Sequence, residues 1–152
     1  MKNTNSLAIM LIVLLSIPFG NCYSKKKINY EGVVYTLNDI QLKVNVKTNA
    51  QKYPKTHIST TVPYWLSFSL TNLSETTLFE AYSMIDGKSQ IASIYIVFRL
   101  SDNTLIEHRE ALIGVKVSPQ MTSTEHSIVV WVAKNKNIVS VEGVRIEYSS
   151  TI

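Results

Sequence analysis

The chain has 152 residues, a formal charge of +4 from 15 Lys and Arg against 11 Asp and Glu, 45% apolar residues and a somewhat low 17% charged. That length suits one domain and leaves little room for two. One cysteine excludes an internal disulfide, five glycines leave no phosphate-cradling loop, and no internal repeat or low-complexity segment is visible.

In chain order, Lys2 opens a short polar stretch. An uninterrupted apolar run follows, Leu7 to Leu15, then the breaker Ser16-Ile17-Pro18 and Phe19-Gly20-Asn21-Cys22. A positive end, a short apolar core, a breaker and a cleavage region are the layout of a signal peptide, assigned to residues 1–22. The run falls short of the roughly 20 residues that a permanent membrane helix needs. Residues 23–32 read as a polar basic linker and 33–152 as one folded domain. Seven lysines lie between Tyr23 and Thr60 against Glu31 and Asp39. They read as a solvated tether, or as an attraction to anionic headgroups worth about 1 kcal/mol per lysine near the surface. Nucleic-acid binding is not expected, because no binding motif accompanies the charge.

A lone cysteine just after an apolar signal core resembles the modified cysteine of bacterial lipoproteins. The resemblance implies a lipid-anchored chain with Cys22 as the attachment residue. Each buried CH₂ would add about 0.8 kcal/mol to the anchoring. Phe19 and Asn21 stand where that family usually has Leu and a small residue. The alternative is ordinary cleavage after Cys22, releasing a secreted protein without cysteine. The location is accordingly the cell envelope, anchored at the outer membrane or periplasmic, with secretion as the alternative.

The domain reads as strands. Val33 to Leu37 is a short first strand, Asn38-Asp39 a turn. Ile40, Leu42, Val44 and Val46 alternate with Gln41, Lys43, Asn45 and Lys47, giving one buried and one wet face; the lysines would protect this strand at a sheet edge. Thr48 to Thr61, with Pro54, is a loop. After Pro63, Leu66, Phe68 and Leu70 point inward, and Trp65, Ser67, Ser69 and Thr71 outward. Asn72 to Thr76 is a turn, Thr77 to Met84 a strand or one helical turn, and Asp86-Gly87-Lys88 a turn. Ser93 to Leu100 is a strong strand with Ile94, Ile96, Phe98 and Leu100 inward and Tyr95, Val97 and Arg99 outward. Thr104 to Val117 is one bent strand or two, broken near Gly114, and Ser118 to Thr122 is a turn and loop. Ser127 to Ala133, apolar on both faces, is placed mid-sheet and covered on both sides, with Trp131 in the core. Ile138 to Tyr148 closes the domain, interrupted at Gly143.

About seven to eight short strands at this spacing predict an all-β antiparallel sandwich. Leu66 to Ser74, Ile96 to Asp102 and Val115 to Pro119 together resemble the immunoglobulin-like modules of bacterial lipoproteins. In these a strand ends in Asn-x-Ser, a later strand ends at an Asp turn, and a proline turn precedes the penultimate strand. Gln120 stands where a Gly often follows the turn proline. The resemblance bears on fold, not on activity.

Catalytic chemistry is not expected. His57, His108 and His126 are far apart, so no metal is assigned. No Gly-x-Ser-x-Gly elbow is present, and no cofactor is implied. His57 reads as a loop residue and His108 as a solvent-facing strand residue. Glu107-His108-Arg109-Glu110 is the densest polar cluster. In a strand Glu107 and Arg109 share one face and His108 and Glu110 the other, either as cross-strand ion pairs or as a recognition patch. Outward Trp65 and Tyr95 are candidates for a sticky patch. The candidate partner-binding residues are therefore Trp65, Tyr95, Arg99 and His108, with a protein partner expected. Two functions follow: a non-catalytic envelope binding or assembly module, or a periplasmic immunity or inhibitor protein that blocks a toxin or hydrolase.

Overall fold

The computed structural model describes residues 28–37, 40–48 and 60–150. The signal peptide, Cys22, most of the basic linker, the Asn38-Asp39 turn and the loop bearing Pro54 and His57 lie outside the described residues.

Among the described residues there is no helix. Ten strands follow one another: β1 Asn29–Leu37, β2 Ile40–Thr48, β3 Thr61–Asn72, β4 Phe79–Glu80, β5 Tyr82–Ile85, β6 Lys88–Leu100, β7 Leu105–Ala111, β8 Lys116–Val117, β9 His126–Ala133 and β10 Ile138–Ser150. Seven to eight were expected, and two of the ten, β4 and β8, are two-residue strands that pair only with each other. They arise because the chain bends twice. Thr77 to Met84 splits at Ala81 into β4 and β5, and the stretch after Thr104 breaks at Gly114, whose φ of +72° suits glycine. β1 starts at Asn29, four residues before its expected start, because Asn29 to Gly32 pair with Lys47 to Val44. The last residues of the supposed linker thus belong to the sheet.

Every strand pairing is antiparallel. The first sheet has the order β1-β2-β3-β9. In the second, β10 lies along one side of β6, and β5 and β7 lie end to end along its other side. Neither sheet closes on itself. Period-2 alternation supplies the shared core. Leu42, Val44, Val46, Leu66, Phe68, Leu70, Ile128, Val130 and Val132 come from the first sheet, and Ile94, Ile96, Phe98 and Ile146 from the second, in one cluster. Tyr35 of β1 and Tyr148 of β10 meet with ring centroids 6.1 Å apart. Truncating a core phenylalanine such as Phe98 would cost about 3–5 kcal/mol.

β2 lies between β1 and β3 and is not an edge, so its lysines line an outer face rather than guard a border. Gly143 sits at a register shift against β6, as the interruption in the pattern suggests. β9, expected mid-sheet, is the terminal strand of the first sheet. Its outer face is open and Trp131 is 61% exposed. The run Ser127 to Ala133 is apolar on both faces for two reasons: Ile128, Val130 and Val132 fill the core, while Val129 and Trp131 belong to an uncovered surface cluster.

Buried polar groups pin the loops. Asn72 is fully buried; its Nδ2 donates to the carbonyls of Thr77 (2.8 Å) and Val117 (2.9 Å), and its Oδ1 accepts from the Ser74 amide (3.0 Å). Ser74 Oγ accepts from the Thr77 amide at 2.9 Å. The Asn-x-Ser ending of β3 is thus a structural clasp holding β8 and the 73–78 loop to the first sheet.

Candidate recognition face

Four apolar side chains meet on the outer face of the first sheet. β3 contributes Pro63 and Trp65, and β9 contributes Val129 and Trp131; together they line a shallow, open hollow. The ladder places Pro63 opposite Trp131 and Trp65 opposite Val129. Lys134 donates its amide to the Thr60 carbonyl at 2.9 Å. The alternation of antiparallel pairs then makes Val62–Val132 and Tyr64–Val130 hydrogen-bonded, and Pro63–Trp131 and Trp65–Val129 non-bonded. Pro63, which has no N–H, fits a non-bonded pair. It also lies beyond the end of β2, whose pairing with β3 stops at Leu66, so its ring nitrogen disturbs no ladder. Non-bonded pairs bring side chains closest, about 4.5 Å between Cα atoms, which draws the four groups into one cluster. Trp65 is 44% exposed. Toward β2 the face turns polar: Ser67 donates to Glu125 Oε1 at 2.5 Å, and Lys43, Asn45 and Ser69 follow.

Tyr95 and Arg99 project from β6 on the outer face of the second sheet, so Tyr95 and Trp65 lie on opposite faces of the molecule and form no common patch. Tyr95 is already engaged: the guanidinium of Arg145 lies 4.3 Å from its ring centroid and that of Arg109 5.8 Å. Arg145 in turn binds Glu107 (2.5 Å) and Glu147 (2.7 Å). These carboxylates hold its proton more tightly than usual, and Arg145 holds the Glu107 carboxyl below its ordinary range. Arg99 is clamped by both oxygens of Glu142, at 2.9 and 3.1 Å. Hydrogen bonds from Arg99 and Ser140 pull Glu142 down to about 2. Asp102 likewise falls to about 2 through Lys136 and Thr104. The expected cross-strand ion pairs are present, and Arg109 donates to the Ser93 and Ser149 hydroxyls, each at 3.2 Å.

His108 is not solvent-facing. It lies opposite Ile96 on the inward side of β7, half-buried, with Nε2 inaccessible and without a hydrogen bond, 3.5 Å from Glu110 Oε2. The predicted sharing of faces holds, since Glu107 and Arg109 pair with outward Val97 and Tyr95, and His108 and Glu110 with inward Ile96 and Ile94. His126 stacks on Phe68 with centroids 5.2 Å apart. Among the described residues no three His, Cys, Asp or Glu side chains cluster to hold a metal ion, and no helix is long and apolar enough to cross a membrane.

Of the four candidates, then, only Trp65 stands in the apolar cluster. Pro63, Val129 and Trp131 were missed as site residues. The signal was there in two places: the outward members of SIVVWVA, and Pro63-x-Trp65 at matching spacing. Sequence alone does not say that these two runs are cross-strand neighbours. No protein-family model matches the chain, and no curated protein matches it.

Proposed function

We propose that this chain is an exported, non-catalytic binding or assembly module of the cell envelope, anchored through lipid at Cys22. Its domain is an immunoglobulin-like β-sandwich, and the Pro63-Trp65-Val129-Trp131 cluster docks a protein partner. The observation that carries the reading is the pair of exposed tryptophans on adjacent, paired strands. Tryptophan is enriched among residues that dominate interface energetics, and a preformed apolar centre with a polar rim is their usual setting. Ser67 and Glu125 supply such a rim. On the opposite outer face Arg99 and Arg145 are paired with carboxylates, and Tyr95 lies under the Arg145 guanidinium. Anchoring would raise the local concentration of the module at the membrane.

Pull-down from envelope extract tests the reading. The protein should recover a discrete partner that Trp65→Ser and Trp131→Ser each lose and Tyr95→Ala retains. A partner that is a single toxin or hydrolase, inhibited on binding, would identify the immunity reading instead. Anchoring is tested separately by fatty-acid labelling and the mass of the mature amino terminus. An unlabelled, soluble wild type would remove lipid from the account and leave the docking face standing.

A further inference from the structure

We propose that the open edge of β9 pairs with β9 of a second copy of this chain, joining two first sheets into one continuous sheet. The inference concerns a strand edge and stands independently of the docking role given to the outer face. β9 bonds to β3 on one side, and no described strand pairs with its other side. Because the even residues 126–132 bond to β3, Ser127, Val129, Trp131 and Ala133 direct their N–H and C=O groups to that open edge. Sheet edges are ordinarily protected by charged side chains, proline or a bulge. From His126 to Ala133 the strand has no Lys, Arg, Asp, Glu or Pro, and its pairing with β3 runs without a register shift. β7, one of the border strands of the second sheet, is built the other way, with Glu107, Arg109 and Glu110.

The occupant follows from the strand's own sequence. An antiparallel pair of β9 strands centred on Val130 sets Ser127 opposite Ala133 and Val129 opposite Trp131 in both directions. Every outward N–H and C=O of both strands is then bonded. Sliding the pair by two residues leaves an outward residue of each copy unpaired, and sliding by one turns core faces outward. In the centred register Ile128 meets Val132 on the core side, and no like charges face each other. On the outer side Val129 of each copy lies beside Trp131 of the other, so the two apolar clusters merge into one stripe across the two-fold axis. Such an isologous contact closes as a dimer and leaves no further β9 edge.

The test is sedimentation velocity over a wide concentration range, on the protein as purified from expressing cells and in detergent if it carries lipid. Wild type should dimerise with concentration. Val129→Pro deletes an N–H that points away from β3, so the fold should persist while the dimer midpoint rises at least about tenfold, the equivalent of 1.4 kcal/mol. A wild type that stays monomeric throughout, or a folded Val129→Pro that dimerises like wild type, would overturn the proposal. Should Val129→Pro not fold, a Ser127→Cys/Ala133→Cys variant decides. Under mild oxidation it should form an inter-chain disulfide absent from the parent, and its failure to do so would equally overturn the proposal.

Discussion

Two single residues tie the loops after β3 and β8 to the sheets through their side chains. Asn72 is buried, and its side chain makes three hydrogen bonds, all to backbone groups. Asn72→Ala would strand two carbonyls and an amide, each costing about 1–3 kcal/mol if left unsatisfied. We expect a loss of about 3 kcal/mol or more in urea unfolding, with Ser67→Ala, on the exposed face, nearly neutral. Gln120 holds φ at +58°, where glycine is at ease, and its Nε2 donates to the Leu73 and Ser74 carbonyls. Gln120→Ala should therefore destabilise by about 1–2 kcal/mol, and Gln120→Gly by less, because it relieves the backbone while losing the same bonds. Tyr148 adds a pH signature. Burial, then the neighbouring Tyr35 and Glu80, push its hydroxyl up to about 12, and it donates to the Glu80 carbonyl at 2.6 Å. The neutral phenol is the form the fold favours. Its contribution is complete below the ordinary tyrosine value near 10 and is lost as pH rises from there through about 12. Ultraviolet titration should show a late phenolate step that Tyr148→Phe removes.

Among elements, β3 and β9 carry the functional argument. β3 was legible residue by residue: Leu66, Phe68 and Leu70 are buried, and Trp65 is exposed, as alternation requires. β9 was legible as a strand but not in its place. A run with apolar residues on both faces is the same string whether its second face meets another layer or solvent. The difference lies in Pro63 and Trp65, more than 60 residues earlier, which no local pattern connects to Trp131. His108 was misplaced for a related reason: alternation fixed which residues share its face, but the direction of that face depends on pairing with β6. Trp131→Ser should leave the melting temperature close to wild type, since the side chain is mostly exposed, whereas Val130→Ala, one residue away and buried, should cost about 2 kcal/mol. Equal losses in thermal unfolding would mean that Trp131 packs as core.

For the molecule as a whole, the two sheets differ in what they offer outward. The second sheet spends its charges on itself, through Arg99–Glu142 and Arg145 with Glu107 and Glu147. The first presents an apolar corner beside a polar field. The depressed carboxyls set the acid behaviour. Glu142 and Asp102 sit near 2 in the fold against about 4 in an unfolded chain. Their stabilising effect is present above about pH 4 and is lost as pH falls from there toward 2. Circular dichroism should stay β-like and unchanged from neutral pH down to about 4, with acid sensitivity setting in below; Glu142→Gln should flatten that last portion.

The most direct measurement is photo-crosslinking in living cells, with a photoreactive residue at position 65 in one strain and at position 95 in another. The account predicts a discrete adduct to a different protein from position 65 and none from position 95. An adduct from position 95 alone, or none from either in cells where the chain is abundant, would contradict the assignment of the β3–β9 face as the recognition surface.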